Sequence, residues 1–193
     1  MIEKLYDWML RQAESKNALW VLALVSFVES SFFPIPPDLV LAIVVAKNRD
    51  KAWFYAIICA CASVLGGFLG YYIGFAFFEI IGSRILTFYG QLDKFSDIVA
   101  TLNKWAFWII CIKGITPIPY KIVTIASGFA KIDLWTFTIA SIIVRSARFL
   151  LLSLVCRKFG KQFLLFMEKH KKVTLLIVIA SVVIGFLLVK LFI

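Results

Sequence analysis

Six ionisable residues interrupt the long apolar segments of this chain: Glu29, Asp38, Lys113, Lys121, Arg145 and Arg148. Each costs roughly 2.5–3.5 kcal/mol at the centre of a membrane helix on insertion scales. Charges at such depth face a polar cavity and pair with one another or with a passing ion. The four cations outnumber the two acids, so the set carries a formal positive surplus. A closed network of structural ion pairs is expected to balance, whereas a surplus suits an anion. A phosphate monoester carries about −1.5 to −2 charges at neutral pH. Arg145 and Arg148 stand at i, i+3 on one helix face. Guanidinium forks match phosphate oxygens in a bidentate way, and lysine adds a point charge. Lys113, Lys121, Arg145 and Arg148 are therefore the candidate ligands of an anionic head group. Glu29 and Asp38 are the candidate proton or charge relay. The competing reading is a salt-bridge network that only holds a bundle together.

Other chemistry finds little support in the residues. No Ser stands in a sharp Gly turn, and the single histidine is His170, outside the apolar segments. Ser30, Ser31 and Thr116 read as hydroxyls that satisfy backbone groups. Cys59, Cys61, Cys111 and Cys156 lie in apolar runs without companion ligands and read as buried thiols. No enzymatic activity, metal or cofactor is expected.

The elements that must position these charges are membrane helices. Of 193 residues 62% are hydrophobic, against roughly 45–50% in a soluble domain. The net charge is +10, from 21 Lys and Arg against 11 Asp and Glu. No basic amphipathic face or nucleic-acid motif accompanies it, which excludes nucleic acid as partner; loop cations that set topology are the better account. The first fifteen residues carry Glu3, Asp7 and Glu14 and no apolar core, so no cleaved leader is expected.

One membrane domain over 1–193 is expected. Residues 1–16 form an interfacial helix. Residues 18–46 are apolar but broken by Pro34, Pro36 and Pro37, leaving arms too short for a ~30 Å core. Residues 52–80 span, and Gly66, Gly67, Gly70 and Gly74 give that helix a face for close packing. Residues 92–104 are amphipathic. Residues 105–130 are broken again, at Pro117 and Pro119. Residues 132–156 and 173–193 span. Pro34-Ile35-Pro36 and Pro117-Ile118-Pro119 are the centres of an internal repeat. If the proline segments are re-entrant hairpins, one span separates them and they enter from opposite faces, an inverted repeat. If they are kinked spans, the copies run parallel. Under either topology twelve loop cations fall on the side of the N-terminus and five on the other. The N-terminus and the 157–172 loop are thus expected in the cytoplasm. Arm length and the dense Lys47–Lys51 turn favour hairpins.

The segment Glu29…Phe33-Pro34-Ile35-Pro36-Pro37-Asp38 resembles the DedA family, also called the SNARE-associated Golgi protein or VTT-domain family. Gly66-Gly67…Gly70-Tyr71-Tyr72-Ile73-Gly74 resembles its glycine-rich segment. Lys113-Gly114-Ile115-Thr116-Pro117-Ile118-Pro119-Tyr120-Lys121…Ala126-Ser127-Gly128 resembles its second hairpin. The likeness covers about residues 20–155 and is closest to the YqaA-like bacterial branch. It implies an all-α polytopic fold with two opposed re-entrant hairpins in the inner membrane. It also implies a flippase or scramblase role in lipid transport, on polyprenyl phosphate carriers or phospholipids. Family acids of the first hairpin map onto Glu29 and Asp38. Where many members carry arginine around the second proline tip, this chain has Lys113 and Lys121, offset by a residue or two.

The expected function is translocation of an anionic lipid, with proton coupling through the acids as an option. Membrane lipids are the expected partners, and self-association is left open. A proton-coupled transporter of a small solute and a non-transporting membrane chaperone or scaffold are the alternatives.

Overall fold

The computed structural model describes residues 17–31, 37–115 and 119–169. Among them the protein is all-α: α1 (Ala18–Ser31), α2 (Pro37–Lys47), α3 (Ala52–Phe77), α4 (Ser83–Phe88), α5 (Leu92–Ile115), α6 (Tyr120–Phe129) and α7 (Leu134–Lys169). A 3-10 turn, Arg49–Lys51, leads into α3, and a π-helical turn, Phe78–Gly82, joins α3 to α4. Among the described residues three continuous runs are long and apolar enough to cross a bilayer: Arg49–Phe88, Phe95–Gly114 and Leu134–Gly160. The interfacial helix expected over 1–16 and the span expected over 173–193 lie outside the described residues.

Three boundaries differ from expectation. The amphipathic segment 92–104 and the first arm of the second broken segment form one helix, α5. No Gly or Pro occurs between Leu92 and Lys113, so nothing stops the helix there. The span over 52–80 continues through its π turn to Phe88, and the one over 132–156 continues to Lys169. Chain breaks fall where local chemistry demands them. Pro37 opens α2 at a position where its missing N–H costs nothing. Pro119 caps α6 with extended backbone, φ −56° and ψ 124°. Asp133 caps α7: its carboxylate accepts the Thr136 N–H at 2.8 Å and the Thr136 hydroxyl at 2.9 Å. These bonds hold the exposed Asp133 carboxyl below the usual carboxylate range.

Contacts that climb two helices together reveal their directions. Gly66 faces Phe27 and Gly70 faces Ser30, so α1 and α3 run parallel. Gly67 faces Tyr120 and Gly74 faces Phe129, so α6 runs with them. Asp38 meets Arg148 and Ala46 meets Gly160, so α2 parallels α7. The Asp133 N–H donates to Asn103 at 2.9 Å and Gly114 faces Val144, so α5 also parallels α7. Between α3 and α7 the contacts run the other way: Ser63 meets Arg145 while the Tyr71 and Phe137 rings meet at a tilt, centroids 5.1 Å apart. The first three helices thus run in the sequence one way, back, one way, and α5, α6 and α7 run in the reverse sequence. An offset of 83 residues aligns the two halves in sequence. It carries Ala18 to Thr101, Pro37 to Tyr120 and Ala52 to Trp135, each within or beside the corresponding helix start or arm.

The surface is apolar as well as the core. Leu22, Val40, Ile43, Phe137 and Phe149 are buried, yet Leu24, Leu65, Ile80, Trp108, Ile139 and Leu151 are exposed. Ser26, Ser30, Ser31, Ser63, Thr124, Ser127, Ser141, Ser153 and Arg145 are buried among the apolar side chains. An apolar exterior with polar groups turned inward suits a bilayer. Backbones touch where glycine allows it. A methyl at Gly66 would meet the Phe27 carbonyl, one at Gly74 the Ile125 carbonyl, and one at Gly128 the Tyr71 carbonyl. Gly70 packs against the Thr124 side chain. Gly67 differs: the nearest atom to an added methyl lies at 3.4 Å, an ordinary contact.

Candidate functional site

Trp20 and Trp53 are exposed at the same end of the parallel pair α1 and α3; Trp105 and Trp135 are exposed at the opposite end. Such aromatic belts mark membrane interfaces. Trp53 precedes Ser63 by ten residues and Trp135 precedes Arg145 by ten. Since α3 and α7 are antiparallel and Ser63 touches Arg145, the belts stand about 30 Å apart at 1.5 Å per residue. That matches the hydrocarbon thickness of ~30 Å and puts the Ser63–Arg145 bond at mid-membrane.

Arg145 is the node of this level. Its side chain is 3% exposed. Its Nε donates to the Ser63 hydroxyl of α3. Its Nη2 donates to Glu29 Oε2 at 3.0 Å and, more weakly, to the Ser30 hydroxyl at 3.4 Å, both on α1. The guanidinium lies 4.6 Å from the Tyr120 ring of α6 and 4.7 Å from the Phe149 ring of its own helix. One side chain therefore ties together both broken segments and both long spans. The Ser30 and Ser63 hydroxyls share a 2.6 Å bond, and the Thr124 hydroxyl donates to the Ser30 carbonyl at 3.3 Å, drawing α6 into the same network.

Arg148 lies one turn further along α7 and is far more open. Its Nη2 pairs with Asp38 Oδ2 at 2.5 Å, and the two side chains are 39% and 31% exposed. Asp38 occupies the first turn of α2, where the helix dipole favours a carboxylate. Its other oxygen, Oδ1, is enclosed with no hydrogen-bond partner among the described residues. The exposed Leu151 and Val155 continue along α7 beside Arg148, so this pair sits at the bundle's apolar margin. A cavity of about 370 Å³ between α3 and α7, lined by Ile57, Cys61, Leu65, Ile142, Ser146 and Leu150, is a separate feature. Ser146 and Leu150 are each two residues from Arg148, about 200° round the helix.

The structure thus brings Glu29 to Arg145 and Asp38 to Arg148. Lys113 lies partly buried in the last turn of α5. Lys121 lies in the first turn of α6, half-exposed and within electrostatic reach of Glu29. Lys121 is also the repeat counterpart of Asp38, 83 residues on. Of the proline tips, Pro37 and Pro119 start helices, while Pro34, Pro36 and Pro117 fall outside the described residues, as does Thr116. Sequence reasoning missed Ser63, Tyr120 and Phe149 as partners of Arg145. A hydroxyl inside an uncharged 27-residue run was the available signal for Ser63; nothing local marks the rings.

The VTT domain matches residues 33–158, which hold both arginines, Asp38 and both lysines. The chain belongs to this family, the DedA family. Two relatives extend the likeness. An uncharacterized protein of Haemophilus influenzae is 30% identical over 186 residues, 96% of each chain. A homolog of that kind from Histophilus somni is 34% identical over 160 residues, 82% of this chain and 83% of its own. No solved structure matches the chain. A DedA-family protein with these relatives is a bacterial-type integral membrane protein of transporter-like class.

Proposed function

We propose that this protein translocates an anionic lipid, a lipid phosphate or a phospholipid, across the bacterial cytoplasmic membrane without covalent chemistry. The observation that carries this reading is the Asp38–Arg148 pair, a half-open charge pair about 4.5 Å from mid-membrane at the edge of the bundle. Charge there is costly unless something uses it. A lipid keeps its tail in the bilayer and needs only a polar margin for its head group. Arg148 presents a fork suited to phosphate oxygens. In this account the head group displaces the Asp38 carboxylate, which takes up a proton while the phosphate occupies Arg148. Arg145, sealed by Glu29, Ser63 and two rings, positions the hairpins rather than meeting the lipid. Lys121, and Lys113 at the end of α5, add positive field to the anion's path.

Helix directions and lengths support re-entrant hairpins over kinked spans. α1, α2 and α6 measure about 21, 16 and 15 Å, short of a ~30 Å core. α1 and α2 run in opposite senses, as do α5 and α6, as two hairpins require. α5 is longer, but its Asn103–Asp133 bond fixes its level at the interface. Residues 103–115 then descend only about 18 Å, and the amphipathic 92–102 remain outside. The basic ends of α2 and α7 share one side, which the loop-charge rule assigns to the cytoplasm together with the N-terminus.

Purified protein in vesicles holding a labelled lipid phosphate tests the reading. Head groups in the inner leaflet should become reducible from outside in protein-containing vesicles only. A scaffold is the second reading, favoured by the balance of acids against arginines in the two pairs. Vesicles with and without protein would then behave alike.

A further inference from the structure

The contact between Ala46 of α2 and Gly160 of α7 gathers two sequence-distant basic runs at one end of the molecule. Lys47, Arg49 and Lys51 follow α2, and Arg157 and Lys158 occupy α7 just before Gly160. All are exposed except Arg49, which is half-buried with its Nε enclosed and without a hydrogen-bond partner among the described residues. Lys51 stands twelve residues from Ser63 and Lys158 thirteen from Arg145. Both are thus about 18–20 Å from mid-membrane along the helices. Half the hydrocarbon thickness is ~15 Å, so the cluster lies at head-group depth. Asp50 and the carbonyl end of α2 oppose an anion there, and five cations outweigh them.

Setting topology requires only that loop cations share a side; it does not require them to converge. These converge at the end of the α2–α7 seam whose middle holds Asp38 and Arg148. Arg157 is nine residues, about 14 Å, from Arg148 along α7 and half a turn round the helix from it. Ser153, between them in sequence, is fully buried, its hydroxyl without a partner among the described residues. It shares the face of Phe149 and Cys156, which packs against α2.

We propose that this cluster docks the phosphate head groups of membrane lipids and is the cytoplasmic mouth of the α2–α7 seam, whose middle holds Arg148. The docking rests on the cluster's geometry; the mouth rests on the lipid-translocation reading above. Inorganic phosphate shares the ligand chemistry but lacks the tail that holds a head group at this depth.

Trp53, exposed two residues after Lys51, is a built-in reporter. In the full chain with the other five tryptophans changed to Phe, Trp53 quenching by brominated phosphatidic acid and by brominated phosphatidylcholine would be compared in vesicles. Phosphatidic acid should be enriched by at least about fivefold, the effect of one basic residue near a membrane surface. Enrichment should vanish at about 1 M salt, where the screening length is ~3 Å. It should also vanish in Lys47→Gln/Lys51→Gln/Arg157→Gln/Lys158→Gln, which spares Arg49 and keeps eight cations on that side against five. If the tryptophan-reduced chain fails to fold, lipid retained by the unaltered protein in native mass spectrometry gives the same comparison. Equal quenching by the two lipids overturns the proposal. So does loss of enrichment to millimolar inorganic phosphate at matched ionic strength, which would mark a free-anion site. Lost enrichment with lipid translocation at the parent rate overturns the mouth but leaves translocation standing. Enrichment in a parent that translocates nothing supports the docking site and removes the translocation reading.

Discussion

Gly67 and Gly74 lie seven residues apart on one face of α3 but meet different atoms of α6, and an alanine at each should act in opposite directions. In either place alanine gains about 0.8–1.0 kcal/mol of helix propensity over glycine. At Gly67 the new methyl meets the Thr124 methyl at 3.4 Å and the Tyr120 ring at 3.5 Å, ordinary contacts. At Gly74 it runs into the Ile125 carbonyl and lies 2.9 Å from the Phe129 nitrogen. Both obstacles are backbone and cannot rotate away, so α3 and α6 must separate. Overpacking of this kind costs about 1–3 kcal/mol. The propensity gain is common to both variants and cancels in their difference. Gly67→Ala should therefore exceed Gly74→Ala by about 1–3 kcal/mol. At roughly 2–4 °C per kcal/mol for a chain this long, the melting temperatures in detergent should differ by about 2–12 °C. Thermal unfolding followed by monodisperse elution measures it. Equal stability, or a more stable Gly74→Ala, would refute the α3–α6 backbone contact.

Further consequences follow from the site and its caps. Glu29→Gln strands a buried Arg145 and should cost about 3–5 kcal/mol, whereas Glu29→Gln/Arg145→Gln should recover much of that stability; a double variant as unstable as the single one would show that the pair is not the reason. A single cysteine at Asn48, in a chain lacking the four native cysteines, should resist an impermeant thiol reagent added outside cells. Ready labelling would favour kinked spans. The hydrogen-bonded Asp133 has a lowered folded-state pKa, so its contribution to stability is complete above the ordinary carboxylate range and disappears as pH falls through the folded value. Asp133→Ala should flatten that acid limb of the stability profile, and an unchanged limb would remove the cap from the account.

Much of this fold was legible because the membrane simplifies the code. Uncharged length announced the span over 52–80, and the helices on either side of each Pro-Ile-Pro, α1 and α2 or α5 and α6, run in opposite senses. The continuity of α5 was not legible: the polarity change at Asn103-Lys104 suggested a break, but polarity marks where a helix leaves the apolar layer, not where it ends. The glycines were read as one face, and only the neighbours separate Gly67 from Gly66 and Gly74. All six charges within the apolar segments were legible by cost alone, but the pairing of the acids with the arginines was not. Nothing in sequence spacing says that Glu29 reaches Arg145 across 116 positions while Asp38 reaches Arg148 across 110. Those distances follow from antiparallel α3 and α7 and from the exchange of arms between repeats, by which α2 packs on α7 and α6 on α3. The Ser63 and Tyr120 contacts depend on the same topology.

The central claim is that Arg148, open to the bilayer at mid-depth, takes the phosphate of a translocating lipid. Its most direct measurement is the rate of head-group translocation in proteoliposomes by Arg148→Lys, with folding checked by monodisperse elution. Lysine keeps the charge but loses the fork. Lysine can still pair with the Asp38 carboxylate, so the swap should leave the protein folded. Both variants should fold, with lipid-phosphate translocation clearly slowed by Arg148→Lys and abolished by Arg148→Ala. Parent-rate translocation by a folded Arg148→Ala protein would contradict the claim.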